Sequence, residues 1–165
     1  MQAQEGIGRV SIRRATIADI GTLLEFRLAM MAEIAATREP EPGPAPDVEA
    51  LRSSNAEWLN EHFGRDFAAW LATVDGVAVA SIGLLWFPHP PGARNPTGGE
   101  AYILNVYARP EVRRRGIARA LMELVVREAR DRGAGRIWLR ASDVGRPLYE
   151  SMGFAAGNYL QLLGD

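Results

Sequence analysis

The sequence predicts a three-layer α/β domain with the element order β-α-α-β-β-β-α-β-α-β, and we take residues 1–165 as one domain. Three observations predict this class. Short segments alternate apolar and polar residues, whereas longer ones repeat apolar residues every three to four positions. The dipeptide Asp75-Gly76 separates two apolar runs, which indicates a β-hairpin. In the second half, a helical pattern lies between two strand patterns, as in a β-α-β unit.

The chain begins with a strand and two helices. The segment RVSIRRAT alternates apolar and polar residues, which is typical of a short strand. Thr16 precedes Asp19 by three positions, a capping signature that predicts a helix over 17–36. Residues 38–47 contain four prolines and cannot continue that helix, and their final aspartate is placed to cap a second helix over 48–63.

A hairpin and a buried strand follow. We predict strands over 67–74 and 77–86 on the two sides of the turn. Residues 88–99 hold four prolines and three glycines and therefore form a loop. The segment 100–108 is almost continuously apolar, which predicts a central strand buried on both faces.

The last third of the chain alternates helices and strands. A helix begins at Gly116, carries its apolar residues on one face and ends near Gly133-Gly135. RIWLRA then forms a fifth strand, GRPLYESMG a short helix with Pro147 in its first turn, and NYLQLL a last strand.

The composition excludes several classes of chemistry. There is no cysteine, which excludes disulfides, a thiol nucleophile and thiolate zinc sites. His62 and His89 do not form a metal-binding pattern, and we expect no metal. All 19 basic residues are arginine, so a Walker-type phosphate loop and Schiff-base catalysis through lysine are excluded. We find no signal-peptide pattern and no membrane-spanning apolar run, and we expect a cytoplasmic protein that does not bind membranes.

The charge is distributed unevenly. The net charge is −1, but residues 1–108 carry 8 arginines and 13 acidic residues, a balance of −5. Residues 109–165 carry 11 arginines and 7 acidic residues, a balance of +4. A basic region beside an acidic half indicates a small anionic ligand, whereas a nucleic-acid-binding domain is usually basic overall.

The basic region begins at a strand-turn-helix segment. The first amides of a helix lack internal acceptors, and the helix dipole favours an anion beside them. Gly116 allows close approach of a ligand, Ala118 keeps the next turn small, and Arg113, Arg114 and Arg115 add positive charge. This arrangement can bind a pyrophosphate, although an arginine-rich helix start can also be an ordinary solvated surface.

Two motifs resemble those of the GNAT superfamily of N-acetyltransferases. NVYARPEVRRRGIARAL is similar to its acyl-CoA-binding signature, Gln or Arg, any two residues, Gly, any one residue, then Gly or Ala, matched here by Arg113, Gly116 and Ala118. PLYESMGF, residues 147–154, is similar to the second signature. The resemblance implies a mixed central sheet of six to seven strands with helices on both faces. It also implies an acetyl-CoA-dependent acyltransferase that acts on a primary amine of a small molecule or peptide.

The resemblance also implies roles for individual residues. Tyr149 is the expected general acid, which protonates the departing thiolate of coenzyme A. The Val106 amide is expected to polarise the acetyl carbonyl, and the strand around it to part from RIWLRA so that pantetheine can pair with its backbone. Many family members carry Asn seven residues before the tyrosine, where this chain has Ser142 followed by Asp143. The expected cofactor-binding residues are Val106, Tyr107, Ala108, Arg113, Arg114, Arg115, Gly116, Ile117, Ala118, Arg119 and Ser142.

The general base is less well defined by the sequence. Glu100 and Asn105 are candidates, Asn105 acting through water, and Glu61 and His62 are weaker ones; bulk water is a further alternative. Acidic residues near the proline-rich loop hint at a cationic acceptor, although they can equally form a solvated loop. These residues are Glu39, Glu41, Asp47 and Glu49.

Three further expectations complete the interpretation. A non-catalytic acyl-CoA-binding module of the same fold is the main alternative to an enzyme. Binding of nucleic acid through the arginines is a weaker one, because no aromatic stacking platform lies beside them. Members of this fold often pair, so a homodimer is possible.

Overall fold

The computed structural model describes residues 8–37 and 47–157, which contain five strands and four α-helices. The strands are β1 (Val10–Arg14), β2 (Phe67–Val74), β3 (Val77–Pro88), β4 (Gly99–Ala108) and β5 (Arg136–Leu139). The helices are α1 (Ile20–Ala36), α2 (Val48–His62), α3 (Ile117–Asp131) and α4 (Arg146–Ser151). The predicted helix over 17–36 begins with a 3-10 turn over Ile17–Asp19.

The strands form one mixed sheet in the order β1-β2-β3-β4-β5. The pairs β1–β2, β2–β3 and β3–β4 are antiparallel, whereas β4 and β5 are parallel. The parallel pair requires a crossover, which α3 supplies. The family resemblance implied six to seven strands, and the described residues form five. The predicted last strand, 158–163, lies outside the described residues.

Helices cover both faces of the sheet, as predicted. Successive residues of a strand point to opposite faces, and β2 is buried along nearly all of its length. Its residues Ala68, Trp70 and Ala72 pack in the core with α3 and α4. Its alternate residues pack in a second core beneath α1 and α2; these are Phe67, Ala69 and Leu71.

A β-bulge interrupts β4 at Asn105. Tyr107 pairs with Ser81 of β3 and Leu104 pairs with Gly83, so two residues of β4 lie opposite one residue of β3. Asn105 has a φ of 54°, in the left-handed region that asparagine tolerates better than most residues. The bulge shifts the alternation, because Ile103 faces the α3 side before it and Val106 faces the same side after it.

The bulge coincides with the separation of β4 from β5. The two strands pair only from Glu100 with Arg136 to Ile103 with Leu139. RIWLRA was predicted to be a strand throughout, but β5 ends at Leu139 because its partner strand no longer runs beside it. We call the opening between the end of β5 and residues 104–108 of β4 the gap.

The predicted capping interaction at the start of the first helix is present. The Asp19 carboxylate accepts hydrogen bonds from the amide and hydroxyl of Thr16, at 2.7 and 3.0 Å. The Arg13 guanidinium donates two more to it, at 2.8 and 2.7 Å. The Arg13 hydrogen bonds hold the pKa of the Asp19 carboxyl far below its usual range, with a smaller contribution from Thr16.

We expect Asp19→Ala to lower the free energy of unfolding by about 1 kcal/mol at neutral pH, a typical loss for a capping side chain. A depressed folded-state pKa stabilises the fold above the unfolded pKa, near pH 4, and this contribution disappears as the pH falls. The difference between the wild type and the variant should therefore be largest at pH 7 and clearly smaller at pH 2. Urea unfolding at both pH values tests this, and an equal difference at both would contradict it.

Candidate functional site

The N-terminal end of α3 presents a run of unpaired amides. Within the described residues, nothing accepts a hydrogen bond from the backbone amides of residues 114–119. Arg114 and Gly116 have φ angles of 63° and 80°, which turn the chain sharply into the helix. Such amides at the positive end of a 15-residue helix are suited to bind an anion.

The space in front of this helix end is open. A Cβ atom added to Gly116 would meet no other atom within 4 Å. Arg114 and Arg115 are exposed beside it, while Ile117 is buried and anchors the first turn in the core. The helix end therefore has room for a phosphate group and positive charge at its edge.

The side chain of Arg113 points toward β4 and α1. Its Nε donates to the Ala108 carbonyl at 2.8 Å, and its NH2 group forms an ion pair with Glu33 of α1 at 2.7 Å. The guanidinium also lies over the Tyr107 ring, 5.7 Å from its centroid. Tyr107 in turn donates its hydroxyl to Glu33 at 3.2 Å. Arg113 and Tyr107 thus tie the turn before α3 to α1, and their expected role in cofactor binding stays a prediction.

The backbone of β4 is available to a ligand in the gap. Arg109 donates its amide to Val79 of β3 at 2.9 Å. Backbone groups alternate along a strand, so those of Val106 and Ala108 face the other way, toward the gap. The Ala108 carbonyl is already paired with Arg113, which leaves the Val106 amide and carbonyl and the Ala108 amide for a ligand. The structure thus supports the predicted parting of this strand from β5.

Tyr149 lies on α4, the short helix that follows β5 in the chain. Its side chain is only 8% exposed and belongs to the core formed with α3. Its ring packs over Gly145, where an added Cβ would lie 2.8 Å from the ring and 3.0 Å from the hydroxyl oxygen. Burial, with a smaller contribution from the neighbouring Tyr102, raises the pKa of the Tyr149 phenol above its usual value. The phenol therefore stays protonated at physiological pH, as a proton donor must.

A groove of about 1490 Å³ runs between α3, β5 and α4. Of the predicted site residues, Arg119 and Tyr149 line it. Arg119 also donates to the Ser151 hydroxyl of α4 at 2.6 Å, which joins the first turn of α3 to the helix that carries Tyr149.

Ser142 has a local structural contact. Its hydroxyl accepts a hydrogen bond from the Gly145 amide at 3.2 Å, and its carbonyl accepts one from the Arg146 amide at 2.9 Å. Ser142 therefore shapes the turn that leads into α4, and its neighbour Asp143 is exposed.

The base candidates lie in different places. Glu100 is buried at the start of β4 and forms an ion pair with Arg136 at 3.4 Å. It precedes Asn105 by five residues, which corresponds to roughly 17 Å along a strand.

Asn105 lies at the gap, and its side-chain oxygen accepts a hydrogen bond from Arg27 at 2.6 Å. His62 pairs with Asp66 at 2.8 Å, and Glu61 with Arg65 at 3.7 Å. Asn105 is thus the candidate nearest to the Val106 amide in the chain.

A polar cluster around Arg27 was missed by the sequence analysis. Arg27 of α1 donates through Nε to the side-chain oxygen of Asn55 of α2, and through NH1 to that of Asn105. Tyr102 of β4 is close enough to influence the pKa of the Arg27 guanidinium. The sequence did contain a sign of this cluster, which is a charged residue on the apolar side of the predicted helix. Position 27 lies three residues after Leu24 and four before Met31.

The acidic residues proposed to attract a cationic acceptor have other contacts. The Asp47 carboxylate caps α2, accepting from the amides of Glu49 and Ala50 at 3.0 Å each. Glu49 lies 3.9 Å from the Arg52 guanidinium. Glu39 and Glu41 are outside the described residues.

Residues 28–154 match the family model described as the Acetyltransferase (GNAT) family. The chain belongs to the GNAT acetyltransferase family. This confirms the resemblance, and the predicted acyltransferase class and acetyl-CoA donor agree with it.

Known GNAT proteins resemble the chain in sequence and structure. A predicted acetyltransferase of Clostridium acetobutylicum, solved with acetyl-CoA, is 26% identical with a TM-score of 0.82, covering 94% of this chain and 96% of that one. A GCN5-related N-acetyltransferase of Ralstonia eutropha is 28% identical with a TM-score of 0.83, covering 94% and 98%.

A curated GNAT relative matches over a shorter stretch. The ribosomal protein bS18-alanine N-acetyltransferase of Escherichia coli K12 is 41% identical over 58 residues. The match covers 33% of this chain and 39% of that relative, so it spans well under half of either protein.

Two further findings concern metal binding and membrane-spanning helices in this GNAT protein. In the described residues, no three acidic or histidine side chains come together as a metal site. None of the helices in residues 8–37 and 47–157 has the length and apolarity to cross a membrane.

Proposed function

We propose that this protein transfers an acetyl group from acetyl-CoA directly to a primary amine of a small molecule or peptide. The observation that carries the proposal is the run of unpaired amides at residues 114–119, which begins a few residues after the free strand edge at Val106. An anion-binding helix end beside an open strand edge suits a long ligand with a pyrophosphate at one end.

In this arrangement the donor lies along the gap. The amides of residues 114–119 hold the pyrophosphate of acetyl-CoA, with Arg114 and Arg115 adding charge. The Val106 carbonyl and the Ala108 amide pair with the pantetheine arm. The Val106 amide donates to the acetyl carbonyl oxygen, where negative charge develops during acyl transfer. Arg113, Tyr107 and Ser142 support this binding site through the contacts described above.

The transfer then proceeds in one attack. The acceptor ammonium loses a proton to solvent, either directly or through a water held at Asn105, because an ammonium has no lone pair. The neutral amine attacks the acetyl carbonyl carbon, and a C–N bond forms. The C–S bond of the thioester breaks, and the Tyr149 hydroxyl gives its proton to the departing thiolate. The new amide nitrogen loses its remaining extra proton to solvent, and the Tyr149 oxygen takes a proton back from solvent, so the enzyme returns to its starting state. The chain contains no cysteine, which agrees with transfer without a thioester enzyme intermediate.

The proposal is tested by incubating the protein with acetyl-CoA and a panel of amines. We expect thiol release only when an acceptor is present, and an acceptor whose mass increases by one acetyl group. The panel should include peptides with N-terminal alanine, because the Escherichia coli relative is named as a bS18-alanine acetyltransferase. Binding of acetyl-CoA without turnover on any amine would instead support a non-catalytic acyl-CoA-binding module. The absence of acetyl-CoA binding would reject both. Cytoplasmic location and a homodimer stay predictions.

A further inference from the structure

Arg27 carries a positive charge that the described residues do not neutralise. It is half-buried between α1, α2 and β4. Its two hydrogen-bond acceptors are the amide oxygens of Asn55 and Asn105, which are neutral. Within residues 8–37 and 47–157, no carboxylate forms an ion pair with it, whereas Arg13, Arg52 and Arg113 each have one.

The surroundings make this charge costly. Burial lowers the pKa of the Arg27 guanidinium, which means that the environment disfavours its charged form. A guanidinium nevertheless stays protonated in proteins. Arginine has five N–H donors, and only those on Nε and NH1 have an acceptor among the described residues. The remaining donors are available to a ligand, and a negative charge there would offset the cost of burial.

The position of Arg27 relates it to the reacting groups. Its acceptor Asn105 is the bulge residue and directly precedes Val106, the proposed donor to the acetyl carbonyl. Tyr102, which lies near Arg27, is also a neighbour of Tyr149. Arg27 approaches the gap from the side of α1 and α2, opposite the face that α3 covers.

We propose that Arg27 binds a negatively charged group, a carboxylate or a phosphate, on the acceptor amine. This inference rests on the proposed acetyltransferase function and specifies its acceptor class. The planar guanidinium fork is suited to such groups, because it can donate two parallel hydrogen bonds to one acid group. The acceptor is then a primary amine with an acid group close to it, such as an amino acid or an amino phosphate.

The inference is tested with matched pairs of acceptors. L-amino acids are compared with their carboxamides, and phosphoethanolamine with ethanolamine, by kcat/KM at saturating acetyl-CoA. We expect the wild type to prefer the acidic member of the productive pair at least about tenfold, the selectivity of one charge-assisted contact. Preference in the first pair type identifies a carboxylate, and preference in the second identifies a phosphate.

Arg27→Gln should reduce this preference, measured as the ratio of kcat/KM for the acidic and the neutral member, about tenfold or more. Arg27→Lys retains the charge and should keep part of the preference, which also guards against poor folding of the glutamine variant. Arg52→Gln is the matched control, because Arg52 lies on α2 and pairs with Glu25 on the exposed surface. It should keep the full preference.

Two results would overturn the inference. One is a wild type that does not distinguish acidic from neutral amines. The other is an Arg27→Gln variant that loses activity toward the acidic and the neutral amines equally, as expected if Arg27 only joins α1, α2 and β4. If no amine is acetylated, the proposed function fails. The role of Arg27 is then tested by measuring the binding of the amines themselves. The acidic amines should then raise the melting temperature of the wild type and not of Arg27→Gln, and equal shifts would reject it.

Discussion

Tyr149→Phe is expected to lower kcat about 100-fold, the lower end of what a positioned general acid contributes. The change removes one hydroxyl group and keeps the buried ring, which packs over Gly145 and near Phe154. The affinity for acetyl-CoA should therefore stay within about twofold, since the donor is proposed to bind through backbone groups of β4 and α3. Stopped-flow thiol release gives kcat, and calorimetry gives the affinity.

The pH profile separates a catalytic loss from a structural one. The general acid acts only when protonated, and burial raises the pKa of Tyr149 above its usual value near 10. Wild-type kcat should therefore show no fall from loss of this proton until the pH exceeds about 10. Tyr149→Phe should be slow throughout and lack that alkaline fall. A variant with wild-type kcat would remove the general-acid role, whereas a loss of acetyl-CoA affinity would indicate a role in packing.

Gly116→Ala is expected to weaken acetyl-CoA binding at least about tenfold, roughly the loss of one charge-assisted hydrogen bond. The new methyl group meets no protein atom within 4 Å, so it would project into the open space where we place the pyrophosphate. The φ of 80° also adds a backbone cost of about 1 kcal/mol for any residue with a Cβ. Calorimetric titration with acetyl-CoA measures the first effect, and urea unfolding the second.

Gly133→Ala is the matched control at the other end of the same helix. Gly133 has a φ of 82°, and a Cβ added there also meets nothing within 4 Å. The two variants should lose similar stability, but only Gly116→Ala should lose affinity. If both bind acetyl-CoA alike, the pyrophosphate does not lie at Gly116.

The predictable part of the fold depended on local patterns. The turn at Asp75-Gly76 has positive φ at both residues, as the dipeptide indicated, and β2 and β3 begin and end close to the predicted positions. The unpaired amides after Gly116 follow from the helix start itself, which a sequence can reveal.

The missed part depended on how distant segments meet. Arg113 matches the family motif, but its direction toward Glu33 follows from the turn at Arg114 and from the packing of α1 on the sheet. The cluster of Arg27, Asn55 and Asn105 joins three elements. Sequence spacing shows only that Arg27 is unusual on an apolar face, and it does not show what the residue contacts.

The bulge at Asn105 makes β4 more sensitive to length than to composition. Ala101 and Ile103 are at odd positions, and Val106 and Ala108 are at even ones. Because of the extra residue between them, all four side chains face the same core. Deleting one residue here would rotate the rest of the strand by half a turn and bring the opposite row of side chains inward. Insertions and deletions between Leu104 and Ala108 should therefore be selected against over evolutionary time, even where they conserve the residue types of the strand.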